Sequence, residues 1–370
     1  MSRVLIVGAG RQGRAIAYNL SFDHEIILVD RDSEKIEDFI IFSQENFPES
    51  ASIQFQSLDA SSPNEWSLMY KPEGIVNSAS YMLSEELTKY SIKNNIHYVD
   101  LGGNPDIVAI QHKMNNSAFK KKVSIVPDCG LAPGLGQLLA SYGLSRIPKS
   151  KSVKIYCGGL PKKPLSNNFK HYLFFAAEGL LNEYSGSEMI LENGELKEKG
   201  CLSGKESISI DGVGDFEASL TRGGISTAAS SFYGVLDNYK YKTLRWPGHW
   251  DLMFKWKEDG FFEKNWQDNA LSFAEKKLGS KIPTSKEDMV ILLVKVVGES
   301  SEMEILLVDE NDIETGLTSM ERTTGFPAAE IMRLAIKGEL KSGVLTHELD
   351  LPSKTILRRL EKTGLKFKIN

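Results

Sequence analysis

A chain of 370 residues exceeds what one small core organises and suits two domains. Its 41% hydrophobic and 25% charged residues are those of a soluble globular protein, which excludes disordered and fibrous classes. The formal net charge of -5 arises with basic residues scattered rather than striped, which argues against a nucleic-acid partner.

The opening MSRVLIVGAG runs straight into strand and glycine loop, with no signal-peptide pattern, and no apolar run approaches the ~20 residues of a membrane span. The expectation is a soluble, cytoplasmic protein with no membrane partner. Val4 to Val7 reads as a buried parallel strand, and Arg14 to Leu20 as the helix after the glycines. Ile26 to Val29 is a second strand, followed by a helix from Asp32 to Asn46 with Asp32 or Ser33 near its cap. Short strands are expected at Ile53 to Gln56, Ile75 to Asn77, Tyr98 to Val99 and Val123 to Val126. Helices Ser84 to Lys93 and Pro105 to Phe119 lie between them. This alternation predicts a Rossmann-type, doubly wound parallel sheet.

Past Asp128 the texture changes. Leu135 to Leu144 is helical, and KSVKIYCGGLP is expected to be a strand ending in a glycine turn. Strand-like runs at Ser207 to Ile210, Phe216 to Ala218, Val290 to Val297 and Glu302 to Val308 predict a second α+β domain with a mostly antiparallel sheet. Helices are expected again at Ala328 to Lys337 and Lys354 to Lys362.

Gly8, Gly10 and Gly13 form GxGxxG between a strand and a helix, with Arg11 and Gln12 inside the motif. Gly8 suits the tight turn, Gly10 the approach of a pyrophosphate, and Gly13 close packing of helix on strand. The helix N-terminus adds unpaired N–H groups for the anion. Asp30, at the end of the second strand, can accept from both adenosine ribose hydroxyls and repel a 2′-phosphate. The cofactor expected is therefore NAD rather than NADP. Arg31 stands against this, because a guanidinium can accept a 2′-phosphate. Asp59 and the stretch Asn77, Ser78 and Ala79 fall where further cofactor contacts belong; ordinary turn residues are the equal alternative.

The loops NSASYM (77–82), YVDLGG (98–103) and DCGLAPGLG (128–136) follow strand ends. With the GAGRQG fingerprint, YCGGLP and the terminal TTGFPAAEIMRLAIKGELKSGVLTHELDLP, they resemble the saccharopine dehydrogenase-like superfamily over essentially the whole chain. Within it they are most similar to the lysine 6-dehydrogenase group. Arg222 stands where a small or acidic residue is expected, and His347 where proline is usual. The resemblance implies a discontinuous NAD-binding domain, residues 1–135 and 325–370, around a substrate-binding and dimerisation domain, residues 136–324, and hence a homodimer. It implies oxidation of the ε-amine of an amino acid, lysine, with release of ammonia.

That chemistry needs the ammonium, with pKa ~10.4, to lose a proton first. Asp100, Asp128 and His249 are the candidate acceptors: the aspartates by their place at strand ends, His249 by an imidazole's ordinary pKa. Arg245 is the first choice for the α-carboxylate, because a guanidinium forks onto it, and Arg222 the second. Tyr81 donates to substrate or nicotinamide, or merely packs. Cys129, Cys157 and Cys201 form no CxxC pair, and the six histidines show no ligand spacing, so no metal and no disulfide framework are expected. Two other readings stand beside this one. One is a saccharopine-type reaction on a secondary amine, the other an NAD-binding sensor without turnover.

Overall fold

In the computed structural model, which describes all residues except 49–50, 62–69, 167–168, 175–176, 264–269 and 286, the chain divides into two compact units. The first comprises Met1–Ser141, Asp312–Leu317 and Glu321–Leu365, and the second Tyr142–Asn311, Thr318–Met320 and Lys366–Asn370.

The first unit is built on strands β1 (Arg3–Val7), β2 (Glu25–Asp30), β3 (Ile53–Ser57), β4 (Gly74–Asn77), β5 (His97–Asp100) and β6 (Ser124–Val126). They join a late strand, β15 (Gly343–Val344), in a seven-stranded sheet of order β15-β6-β5-β4-β1-β2-β3. Among the described residues every pairing in it is parallel. Val4, Leu5 and Ile6 of the central strand are fully buried, as an apolar run covered on both faces requires. The order reverses at β1 and β4, the position where doubly wound sheets take a dinucleotide. Asp32 caps the helix Ser33–Asn46, accepting from the amides of Glu34 and Lys35.

Two helices differ from expectation. Pro105 to Phe119 is not one helix but two, Pro105–Lys113 and Asn115–Lys121, broken at Met114. The last long helix begins at Ser319 rather than Ala328 and passes through Pro327 to Ile336. Tertiary packing overrides the proline here: a Cβ on Gly325 would stand 2.6 Å from that of Ala15, so the helix lies hard against Arg11–Leu20.

The second unit holds a nine-stranded sheet formed by β7 (Ser150–Pro161), β8 (Ser187–Glu192), β9 (Glu195–Gly200), β10 (Glu206–Ile210), β11 (Gly214–Ser219), β12 (Asn238–Arg245), β13 (Asp288–Gly298), β14 (Glu302–Glu310) and β16 (Phe367–Ile369). It is mixed: β12 and β7 run parallel, and the other pairings are antiparallel. Gly158 and Gly159 make no turn. They stay inside β7, paired with Ile291 and Val290, because a Cβ there would meet the Leu244 carbonyl oxygen at 2.8 Å and the Met320 methyl at 2.2 Å. Close approach of neighbours, not a bend, is what these glycines permit.

Candidate functional site

The glycine loop sits at the carboxyl end of β1. Gly8 has φ +106, in the region that favours glycine, and its amide donates to the Val29 carbonyl at 2.8 Å. A Cβ on Gly13 would lie 1.9 Å from the Gly8 carbonyl oxygen, whereas one on Gly10 meets nothing within 4 Å. The three glycines therefore do different things: Gly8 and Gly13 make the cradle, and Gly10 leaves its mouth open. The helix Arg11–Leu20 begins there with Gly10 as N-cap, so no capping side chain covers its first amides. Arg11 and Gln12 occupy its first turn, half-buried. From β4, the Ser78 hydroxyl donates to the carbonyls of Val7 and Gly8 at 2.9 and 3.1 Å, tying the second loop to the first. Ala79 is exposed beside it, its amide held by Asn77 at 3.1 Å.

Asp30 ends β2 half-buried. One carboxylate oxygen takes the Ala9 amide at 2.8 Å and the other the Asp32 amide at 3.0 Å, so this acid also shapes the glycine loop. Each oxygen retains a second lone pair for a ribose hydroxyl. Arg31 is exposed next to it, and Asp59, also exposed, is held below the usual carboxylate range by its bonds to Ser61, with Arg31 adding to the effect. The open mouth at Gly10, the uncapped helix start and the acid at the end of β2 together fit a dinucleotide.

Asp100 is buried and takes three donors: the amides of Gly102 and Asp128 at 2.9 and 3.0 Å and the Gln111 side chain at 2.7 Å. Its carbonyl accepts the Cys129 amide at 2.7 Å. It pins YVDLGG to DCGLAPGLG, a positioning role. Asp128 is also buried, with φ +61, and its Oδ1 lies 1.7 Å from where a Cβ on Gly102 would stand. Glycine at 102 is what admits that carboxylate. Tyr81 is half-buried, with its ring 3.6 Å from the Cβ position of Gly103. Cys129 is buried, its thiol donating to the Val126 carbonyl at 3.2 Å and pushed well above its ordinary pKa by burial. An inert, buried thiol fits this better than a nucleophile.

The second unit carries a separate cluster. Arg245 ends β12 and is almost fully buried. Its Nε donates to the Tyr184 hydroxyl at 3.0 Å and its NH1 to the Leu244 carbonyl at 3.0 Å, while its guanidinium lies 5.8 and 5.7 Å from the rings of Tyr184 and Trp250. The Tyr184 hydroxyl is also 3.0 Å from His249 Nε2, and His249 Nδ1 is 2.7 Å from the Phe169 carbonyl. A carbonyl only accepts, so Nδ1 carries the proton and Nε2 accepts from Tyr184. The result is a directed ladder from Arg245 through Tyr184 and His249 to Phe169. Burial and the nearby Arg245 charge push the His249 pKa down to about 3. The expectation that this imidazole titrates near neutrality is therefore not met: both nitrogens are engaged and the ring stays neutral.

Glu183 stands beside Arg245, 3.6 Å from NH2, beyond hydrogen-bond distance. Its side chain keeps 31% of its surface, and burial raises its pKa to about 7. Arg222 is half-buried, and its amide donates to the Glu183 carbonyl at 2.8 Å. Trp246 and Trp250 donate their indole N–H groups to the carbonyls of Pro161 and Glu217, which makes them packing residues. Glu183 and Tyr184, central here, carry no spacing signal: they end the helix Ala177–Tyr184, and Tyr184 reaches Arg245 across 61 positions. Only the alternation of Tyr239, Tyr241 and Thr243 with lysines announces β12, the strand that delivers Arg245. Among the described residues no His, Cys, Asp and Glu group could hold a metal, and no helix is long and apolar enough to cross a membrane.

Comparison with known proteins divides the chain at one point in sequence, so that the C-terminal model also takes in the late segments that return to the first unit. A family model for the saccharopine dehydrogenase NADP binding domain matches residues 4–126, and one for the saccharopine dehydrogenase C-terminal domain matches residues 130–365. Among solved structures the chain is similar to saccharopine dehydrogenase (L-Glu forming) from Saccharomyces cerevisiae. The identity is 16% and the TM-score 0.79, over 100% of this chain and 99% of that one. It is also similar to homospermidine synthase from Legionella pneumophila, solved in complex with NAD, at 12% identity and a TM-score of 0.72, over 100% of this chain and 91% of the other. At those identities the likeness is one of fold.

Proposed function

Because the chain belongs to the saccharopine dehydrogenase family, and is an oxidoreductase with an NAD(P)-binding domain, we propose that it oxidatively deaminates an amino-acid amine with NAD, the substrate being the ε-amine of L-lysine. The observation that carries this reading is the loosely closed pair of Arg245 and Glu183, 3.6 Å apart in a largely buried pocket of charge. A cation and an acid side by side, not bonded to each other, complement the carboxylate and ammonium of an α-amino-acid head group. Anchoring the head there leaves the side-chain amine as the group that reacts. Tyr184 holds the guanidinium from one side, so the carboxylate meets a preset donor rather than a mobile one.

Asp30, Gly10 and the start of the helix Arg11–Leu20 would hold the dinucleotide, which accepts the hydride when bound. NAD is favoured over NADP because Asp30 repels a 2′-phosphate; Arg31 is the residue that would soften the preference. The ε-ammonium must lose its proton before hydride can leave the adjacent carbon. Water then releases ammonia from the imine and leaves the semialdehyde, which cyclises. The neutral, doubly bonded His249 positions Tyr184 and does not take that proton, and the three donors on Asp100 give it a positioning role as well. We further propose that the protein acts as a homodimer in the cytoplasm.

The test is NADH formation from NAD and L-lysine by the purified protein. Turnover should rise toward alkaline pH as the amine, pKa ~10.4, deprotonates, and Arg245→Ala should abolish it. Turnover with another amino acid and none with lysine would remove the substrate assignment and leave the class. A saccharopine-type reaction is the second reading, in which Arg222, joined to the Glu183 segment through its backbone amide, would supply a second cation for a second carboxylate. Saccharopine oxidised faster than lysine would establish it.

A further inference from the structure

The first unit contains a cavity of about 670 Å³ at the far end of the helix that starts at the glycine loop. Tyr18, Asn19, Phe22 and Asp23 line it from that helix and the turn after it; Phe326, Glu330, Arg333 and Lys337, then Arg359, Lys362 and Thr363, line it from the two C-terminal helices. Tyr18, the first lining residue on that helix, is seven positions from Arg11, so at ~1.5 Å per residue the cavity begins about 10 Å from the cradle around Gly10.

Its charges do not balance. Each acid is already engaged. Asp23 takes Arg333 Nε at 2.9 Å and His24 at 2.8 Å, Asp312 takes Arg322 at 2.7 Å, and Glu330 takes Arg333. Arg333 is buried and is spent on this framework, donating also to Asn19 at 2.9 Å. The cations at the mouth are not spent. Arg359 is stretched between Glu330 and Glu339 at 3.5 Å each, and Lys337 and Lys362 have no ionic partner among the described residues. One wall is aromatic: the Tyr18 and Phe326 rings stack at 6.4 Å and 18°, and Phe22 packs edge-on to Tyr18 with 55% of its surface exposed. Three weakly paired cations beside a flat apolar wall, in a cavity within the usual ~300–1,000 Å³ for small ligands, have the chemistry of a bound nucleotide.

We propose that this cavity is a second, non-catalytic nucleotide site, with Arg359, Lys337 and Lys362 on the phosphates and the base against Tyr18, Phe22 and Phe326. The site is independent of which amine the enzyme oxidises. Calorimetric titration with NAD and with ADP counts nucleotide sites per chain in the wild type and in Lys337→Glu/Lys362→Glu, whose two positions are exposed and tolerate reversal. Two sites are expected in the wild type. In the double variant the second should be lost, or weakened by roughly tenfold or more, with NAD affinity at the first unchanged. One site in both proteins, or two equal ones in both, overturns the proposal. Pyrophosphate should compete for the second site less tightly than ADP; equal competition would overturn the assignment of the aromatic wall to a base. A parallel measurement with Phe22→Ala, an exposed ring, should weaken ADP and leave pyrophosphate unaffected.

Discussion

The two units build their candidate sites from different materials. At the glycine loop the work is done by backbone: amides, carbonyls and the absence of side chains at Gly8, Gly10 and Gly13. At Arg245 it is done by side chains drawn from three separated segments and locked by their mutual hydrogen bonds. A backbone site fails when something is added to it, and a side-chain site fails when something is taken away.

The sharpest contrast lies within the glycine loop itself. Gly13→Val forces a Cβ to within 1.9 Å of the Gly8 carbonyl oxygen, so thermal unfolding should show a loss of about 3 kcal/mol or more, with NAD binding gone. At Gly10 the added Cβ meets nothing within 4 Å, so the Tm of Gly10→Val should stay near the wild-type value while NAD binding is lost. Equal Tm losses in the two variants would break the division of labour among the glycines. At the other site, Arg245→Lys keeps the charge but not the fork. It should lower kcat/KM for lysine on the order of 100-fold with NAD affinity unchanged, as steady-state kinetics would report.

Tyr184→Phe strips one rung from the ladder and leaves Arg245 Nε and His249 Nε2 without their partner. Denaturant unfolding should show a cost of roughly 1–3 kcal/mol, with a further loss in KM for the amino acid. The same ladder sets an acid limb. His249 is depressed from its ordinary 6.5 to about 3, so the stability it contributes is present above pH 6.5 and is lost as pH falls through that window. Replacing it with Gln should flatten the decline between those pH values in an unfolding series, while lowering stability at neutral pH. The smallest effect belongs to Asp30→Asn, which removes a negative charge but keeps an acceptor. The NAD over NADP preference, measured as a ratio of Kd values, should shrink by about tenfold.

Legibility in the sequence follows the same line between backbone and side chain. The parallel sheet could be read because each buried strand is a short unbroken apolar run, and the cradle because its glycine spacing is dictated by local sterics. Arg245 could be chosen by residue type, but not its clamp, since Tyr184 and Glu183 lie on a helix with no motif of its own. His249 was readable as a titratable group and not as a neutral one, because only its burial against Arg245 and the Phe169 carbonyl sets its protonation. YCGGLP reads locally as a turn, and its glycines answer instead to Leu244 and Met320, neighbours that local sequence does not name. Pro327 reads as a helix boundary and is overruled by Gly325 packing on Ala15.

The strand that closes the first unit has a consequence for how the protein is made. Gly343 and Val344 pair with Ser124 and Ile125, and the Ser124 hydroxyl reaches Lys341 across 217 positions. While the ribosome is still translating the second unit, the nascent first unit has only six of its seven strands, and the edge of β6 offers unpaired backbone groups to any passing strand. Closure waits until residues 343–344 have been translated, which makes this a slow assembly with a window open to mispairing. Cells expressing the chain at high rate would meet that window as aggregation of unfinished polypeptide, and slower elongation would hold it open longer on each chain.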